Sequence, residues 1–355
     1  MSGKSKVVVI RHIGDEALGI IQANPNIDLV LWKEDTQAPR SWILENIKGA
    51  SGILVVMGEP VTRELVDAAG PSLKVVSTMS VGYEHVDQPL LAQHKIRLGF
   101  TPDVLTEAVA DITVMLAFMA SRNVGETLVI VQEGKWSTVP WSPFLFTGPQ
   151  LSISGPSNPS ARTRLTAGFL GFGRIAQATL HRLIAFGVTD VLFTARSDSS
   201  KVSQEILDKY PTLHSVKQAS NDELAAGSDV VFVLTPGGKE TYHLVGEEFL
   251  KKMKSNAVLV NTARGTCVDS DALAKALKEK WIWAAGLDVV EGEPNISADH
   301  PLVKEPRAVI LPHIGSATTE TRVGMATRAA RNVVAGVLGE KMEAEVDLSR
   351  FKSTV

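Results

Sequence analysis

Three stretches in the last hundred residues carry side chains that can together reduce or oxidise a carbonyl with proton transfer. VNTARGTCVD holds Arg264, GLDVVEGEPNI holds Asp288 and Glu293, and ILPHIGSAT holds His313. Arg264 presents a planar fork of N–H groups that can grip a substrate carboxylate or polarise a neighbouring carbonyl. His313, as imidazolium, can give a proton to a carbonyl oxygen and take it back in the reverse direction. Glu293 can hold one histidine nitrogen, which fixes the tautomer and favours the charged form. Asp288 is expected to meet the carboxamide of a nicotinamide rather than the substrate. Each of these residues follows a short apolar run that reads as a strand, and open α/β sheets bind ligands at the carboxyl ends of their strands.

A coenzyme is indicated upstream. GFGRIA, residues 171–176, follows the apolar run LTAGFL and opens the helical pattern IAQATLHRLIAF. Gly171 permits a tight turn, Gly173 lets backbone approach a pyrophosphate, and Ala176 keeps helix and strand close. Phe172, Arg174 and Ile175 complete the turn and supply N–H groups. About twenty residues on, an NAD site places an acid that accepts from the ribose hydroxyls. Here VLFTARSDSS offers Ala195, then Arg196 and Ser197, with Lys201 nearby. A guanidinium and a hydroxyl suit a 2′-phosphate, so NADP(H) is expected to be preferred, with NAD(H) possible. Thr235, Thr262, Ala263, Gly315 and Ser316 stand at further strand ends and complete the expected coenzyme contacts, together with Arg264, Asp288 and His313. No H-x-x-x-H, C-x-x-C or acidic cluster suggests a metal, and no G-x-S-x-G elbow suggests serine hydrolysis. His12, His85, His94, His181, His214, His243 and His300 show no setting comparable to that of His313.

The elements that must position these groups are legible as pattern. KVVVI, DLVLW, GILVVM, LKVVSTM and KIRLGF form one series of β-branched runs. LTAGFLGFG, DVLFTA, DVVFVL, AVLVNTA, WAAGLDV and AVILPH form a second. Nearly continuous apolar strands alternating with helices predict two doubly wound α/β domains with parallel sheets. The spacing predicts one long helix over 106–134, leading from the first domain to the second. A Pro-, Ser- and Gly-rich loop follows over 136–164, and a last helical stretch over 319–340 can return to the first domain. The 355 residues suffice for two domains, and a net charge of −3 gives no case for nucleic acid or an acidic membrane. One cysteine, Cys267, no signal-peptide core and no bilayer-length apolar run lead to a cytosolic expectation.

At these residues the sequence resembles the D-isomer-specific 2-hydroxyacid dehydrogenases, and within them the glyoxylate/hydroxypyruvate reductase branch. The resemblance spans roughly residues 50–340 and rests on LKVVSTMSVGYEHVD, TPDVLTEAVAD, GFLGFGRIAQ, NTARG, AGLDV, Glu293-Pro294 and LPHIGSAT. It implies a Rossmann-like coenzyme domain over 108–318, inserted into a discontinuous substrate domain of 1–107 and 319–355. It places the family's Arg, Glu and His on Arg264, Glu293 and His313, and its carboxylate-binding loop on Ser80, Val81 and Gly82. It also implies reduction of small 2-keto acids to D-2-hydroxy acids, preferably with NADPH, and a homodimer formed through the coenzyme domain. Two other readings stand beside this one: the same chemistry on larger aryl or branched 2-keto acids, and a coenzyme-sensing protein akin to corepressors. The 141–164 loop departs from the family by its length. Leu145, between Phe144 and Phe146, corresponds to the aromatic residue that a partner subunit contributes in mammalian reductases. Tyr83 replaces an aliphatic residue and either reshapes the pocket or fills the sheet edge.

Overall fold

The computed structural model describes residues 3–351 except 154–156, 159, 161 and 198. The chain divides into two compact units, Met1–Leu105 with Ala317–Val355, and Thr106–Ser316. The first leg runs β1 (Ser5–Val9), α1 (Asp15–Gln22), β2 (Ile27–Leu31), α2 (Arg40–Asn46), β3 (Gly52–Val56), α3 (Arg63–Ala69), β4 (Val75–Met79), α4 (Gln88–Gln93) and β5 (Arg97–Gly99). The second unit opens with α5 (Thr106–Ser121) and α6 (Val124–Gln132). It continues through β6 (Thr166–Leu170), α7 (Arg174–Ile184), β7 (Asp190–Phe193), α8 (Ser200–Lys209), β8 (Ser215–Gln218), α9 (Asn221–Gly227) and β9 (Val230–Val233). It ends with α10 (Glu247–Lys252), β10 (Val258–Asn261), α11 (Ser270–Lys278), β11 (Ala284–Leu287), α12 (Pro301–Lys304) and β12 (Ala308–Ile310), after which α13 (Thr319–Leu338) belongs to the first unit.

The first unit is a parallel sheet in the order β2-β1-β3-β4-β5. Alternate side chains of each strand point to opposite faces, and both faces are covered, which is why its strands read as unbroken apolar runs. Val7, Val9, Leu54 and Val75 pack with Ala329, Ala330 and Val333 of α13 and Leu18 of α1. Val8, Ile53, Val55 and Val76 pack on the other side with Ile43, Leu65 and Leu91. Helix α13 lies unusually close to the sheet: a Cβ at Gly336 would stand 2.5 Å from Val75, and one at Gly52 2.7 Å from Val337.

The second unit is a seven-stranded parallel sheet in the order β12-β11-β10-β9-β6-β7-β8. The chain enters at β6, winds outward through β7 and β8, then crosses back to β9 and winds the other way. The reversal leaves a topological switch point between β6 and β9, where doubly wound folds hold a dinucleotide at the strands' carboxyl ends. Phe169, Phe193, Phe232 and Val260 fill one face, with Leu180 of α7 and Leu116 of α5. Leu170, Val231, Leu259 and Leu287 fill the other, with Leu250 and Leu273.

Two expectations about elements need correction. The helix anticipated over 106–134 is two helices, α5 and α6, bent by 74° around Asn123, whose φ is +51°. Asparagine tolerates this left-handed conformation better than most residues, and the apolar spacing that runs through it gave no sign of a stop. No single helix among the described residues is long and apolar enough to cross a membrane. Strand β8 was not anticipated, because Val216 is its only buried residue, Ser215 is half-buried, and Lys217 and Gln218 are exposed at the sheet edge. The described part of the loop after α6 contains a single 3₁₀ turn, Trp136–Thr138.

Candidate active site

The glycine turn sits at the switch point. Gly171 follows β6 with φ +86°, and a Cβ there would lie 3.0 Å from the Leu234 carbonyl and 3.1 Å from Thr235 Cα. Glycine is therefore required twice over, by conformation and by the approach of the chain after β9. Its N–H donates to Thr194 Oγ1 at 3.1 Å, tying the turn to the end of β7. Gly173 is exposed, nothing stands within 4 Å of a Cβ there, and α7 begins beyond it with no side-chain cap. An uncapped helix N-terminus behind an open backbone turn is a fit for a pyrophosphate. The Phe172 ring stacks on Phe193 with centroids 4.5 Å apart, so only the backbone of Phe172 can serve a ligand. Arg174 lies exposed and Ile175 half-buried in the first turn of α7.

Beyond β7 the loop Ala195–Ser197 is exposed. Gln218, the last residue of β8, shapes it: its amide donates to Ala195 O and Ser197 O at 3.1 Å each, and its Oε1 accepts from Ser199 N at 2.9 Å. Sequence reasoning had no signal for Gln218 because β8 itself was unseen. Among the described residues no carboxylate is ion-paired with Arg196, and no acid occupies the strand end, a setting that fits a phosphate better than two ribose hydroxyls.

Glu293 and His313 meet. His313 follows β12, is half-buried, and has φ +54°. Its Nδ1 stands 2.9 Å from Glu293 Oε1. The carboxylate can only accept, so Nδ1 carries a proton and Nε2 is left for exchange. Glu293 Oε2 accepts from Val290 N at 3.3 Å, which fixes the carboxylate within its own turn. Asp288 is almost fully buried and accepts from Ile314 N and Gly315 N at 2.8 Å each. His313 N also donates to Asp288 O at 2.9 Å. Asp288 thus fastens the segment that presents His313, a role that spacing alone did not reveal. Burial pushes its carboxyl above the ordinary carboxylate value, opposed by the two N–H donors. Two further carboxylate lone pairs still allow contact with a carboxamide.

Arg264 follows β10. Its Nη1 donates to Ala263 O at 2.6 Å, and Asn261 Nδ2 donates to Arg264 O at 3.0 Å. Gly265 presses backbone to backbone on the glutamate turn, since a Cβ there would meet Val290 C at 2.3 Å and Glu291 N at 2.5 Å. The connection that carries Arg264 therefore packs, at Gly265, against the turn that carries Glu293. Thr262 is buried, and its hydroxyl lies 2.7 Å from Thr113 Oγ1 on α5. Thr235 and Ser316 are half-buried at their strand ends, while Ala263 and Gly315 are buried.

In the first unit, Ser80, Val81 and Gly82 follow β4. Ser80 Oγ donates to Gly82 O at 2.5 Å and lies 2.8 Å from Thr78 Oγ1, and Thr101 N donates to Ser80 O at 2.9 Å. These bonds curl the loop so that its shape is set internally. Tyr83 packs edge-on against Phe100 at 5.7 Å, so it fills the sheet edge.

The family model for the D-isomer specific 2-hydroxyacid dehydrogenase NAD binding domain matches residues 114–315. The glyoxylate reductase of Thermofilum pendens is 39% identical over 349 residues, covering 98% of this chain and 96% of its own. The glyoxylate reductase/hydroxypyruvate reductase of Homo sapiens is 37% identical over 343 residues, covering 97% and 98%. A crystal structure of the NADPH-dependent glyoxylate/hydroxypyruvate reductase from Sinorhizobium meliloti, in complex with NADP and malonate, superposes with a TM-score of 0.77 at 27% identity, covering 99% and 100%. A glycine turn at a switch point, a histidine held by a glutamate and matches along nearly the whole chain agree: this chain belongs to the D-isomer specific 2-hydroxyacid dehydrogenase family of NAD(P)-dependent oxidoreductases, in its glyoxylate/hydroxypyruvate reductase branch.

Proposed function

We propose that the chain reduces small 2-keto acids, glyoxylate and hydroxypyruvate first among them, to D-2-hydroxy acids, with NADPH preferred to NADH. The observation that carries this reading is the 2.9 Å contact between His313 Nδ1 and Glu293 Oε1, beyond the strands of a sheet whose switch point bears the Gly171–Gly173 turn. When bound, the reduced nicotinamide supplies hydride to the carbonyl carbon. Glu293 keeps the His313 ring oriented and stabilises its imidazolium. Nε2 gives its proton to the substrate oxygen as the alcohol forms, and Nδ1 remains on Glu293 throughout. Arg264 supplies the cation for a carboxylate or carbonyl oxygen. Ser80–Gly82 is assigned as a carboxylate-binding loop; the N–H groups of Val81 and Gly82 have no partner among the described residues. Gly171, Gly173 and the first turn of α7 hold the pyrophosphate, and Arg196 with Ser197 holds the 2′-phosphate.

We assign a homodimer through the second unit. Helix α6 buries none of its residues, and Trp136, Trp141 and Phe144 are exposed, Trp141 almost completely at 99%. So much uncovered aromatic surface beside an apolar helix supports burial against a second copy, Leu145 included. The single, buried Cys267 supports a reducing, cytosolic setting. The test is steady-state oxidation of NADPH and NADH against glyoxylate, hydroxypyruvate, phenylpyruvate and a branched 2-keto acid, with His313→Asn in parallel. Turnover of the small acids with NADPH, lost in His313→Asn, is expected. Turnover confined to phenylpyruvate or the branched acid refutes the substrate assignment, and coenzyme binding without turnover of any acid refutes the enzyme.

A further inference from the structure

A second histidine stands among the same loops. His243 follows β9 with φ +50°. Its Nε2 lies 2.8 Å from Glu291 Oε2 and its Nδ1 3.6 Å from Asp269 Oδ2. The Tyr242 ring stacks on it with centroids 3.9 Å apart, and the Tyr242 hydroxyl also bonds Glu291. Backbone bonds secure the segment from beneath: His243 N donates to Thr266 O at 2.9 Å, Val245 N to Cys267 O at 3.0 Å, and Asp269 N to Val245 O at 3.0 Å. The imidazole and the backbone around it thereby join the connections after β9, β10 and β11, and the last two carry Arg264 and Glu293.

The mechanical link is short. Glu291 lies two residues from Glu293, in a turn closed by Glu293 N donating to Val290 O at 3.2 Å and Val290 N to Glu293 Oε2 at 3.3 Å. The backbone of Gly265 leaves that turn no room on its other side, since a Cβ there would stand 2.3 Å from Val290 O. A side chain that holds Glu291 therefore holds the whole turn. We propose that His243 is a positioning residue: by binding Glu291 it fixes the Val290–Glu293 turn so that the Glu293 carboxylate stays on His313 Nδ1. The groups facing His243 are Glu291, Asp269 and Tyr242; those facing His313 are Glu293 and Asp288. The inference rests on the assignment of His313 as proton donor.

Two variants and two readouts test it. His243→Ala removes the donor to Glu291, while His243→Gln keeps one. The first readout is kcat with 2-keto acid alongside the dissociation constant of NADPH. The second is the Nδ1–H proton resonance of His313 in the coenzyme-free protein, identified by its loss in His313→Asn. His243→Ala should lower kcat roughly ten- to a hundredfold, the scale of a misplaced catalytic group. NADPH affinity should hold, and the Nδ1–H resonance should weaken or vanish. His243→Gln should restore both. Glu291→Ala removes the other partner and should reproduce the loss if His243→Ala does not fold. Wild-type kcat and an intact resonance in His243→Ala, or a His243→Gln protein as impaired as His243→Ala, overturns the clamp. Full turnover by His313→Asn overturns the proton-donor assignment instead, and the resonance then still reports whether His243 holds Glu293 on His313.

Discussion

Replacing Asp288 by asparagine should separate the fastening of His313 from its chemistry. The carboxylate accepts two backbone N–H bonds of 2.8 Å in a site that is 2% exposed. An asparagine of the same shape can accept only one of them, and its NH₂ group then faces the other N–H. The variant loses one charge-assisted bond and leaves a buried donor unsatisfied, each worth about 1–3 kcal/mol. Relief of the carboxylate's desolvation, which already pushes its pKa upward, offsets part of this. A net loss of about 2 kcal/mol remains, which for a unit of roughly 200 residues lowers Tm by about 4–8 °C. The segment Ile314–Gly315 then no longer pins His313, whose left-handed φ of +54° is the sort of backbone that relaxes when released. We expect kcat to fall at least tenfold, because a shift of ~1 Å in a reacting group costs on the order of a hundredfold. Thermal unfolding and steady-state kinetics on the same preparation are the assay. An Asp288→Asn protein with wild-type Tm and wild-type kcat would show that the two N–H bonds do not hold His313, and the reasoning would fail.

Other outcomes follow from single contacts. Arg196→Ala should cut kcat/KM for NADPH by roughly tenfold or more, as loss of a charge-assisted phosphate contact implies, and leave NADH nearly unchanged; equal losses for both coenzymes refute the phosphate assignment. Gly265→Ala forces a methyl into Val290 backbone, so about 1–3 kcal/mol of stability should be lost with most of the activity, read by urea unfolding and kinetics. Burial opposes the charge on Asp190, yet bonds from Arg164, Ser215 and Thr189 prevail and hold its pKa at about 2. A depressed folded pKa gives stability that is fully present above pH ~4 and is lost as the pH falls towards 2, about 1–2 kcal/mol here once screening around the exposed Arg164 is allowed for. Unfolding free energies of wild type and Asp190→Asn should therefore converge between pH 5 and pH 2.5, and parallel curves would count against the pairing.

How much of this was readable beforehand depends on where each residue's signal lies. Strands buried on both faces announce themselves as apolar runs, so eleven of the twelve strands among the described residues could be placed from residue types alone. Strand β8 could not, because an edge strand with one buried valine has nothing to alternate against. The bend at Asn123 escaped because amphipathic spacing reports burial, and α6 keeps an apolar composition while burying nothing. That Glu293 and His313 could meet was legible because both follow apolar strands of one parallel sheet, whose carboxyl ends lie together. The roles of Asp288 and His243 were not, since each is defined by partners 26 and 48 residues away that no pattern predicts. His243 in particular shows no setting comparable to that of His313 in the sequence, and it is the folded loops that bring Glu291 to it.

The break in the first unit has a consequence for the order of assembly. Its five strands are complete by Gly99, but on the face lined by Val7, Val9, Leu54 and Val75 only α1 is in place until Ala329, Ala330 and Val333 arrive more than 200 residues later. The second unit therefore emerges from the ribosome whole while the first still shows a half-covered apolar sheet to solvent or to a chaperone. The part of the enzyme made first is sealed last, and a nonsense mutation just before α13 would leave the second unit whole and the first without its cover.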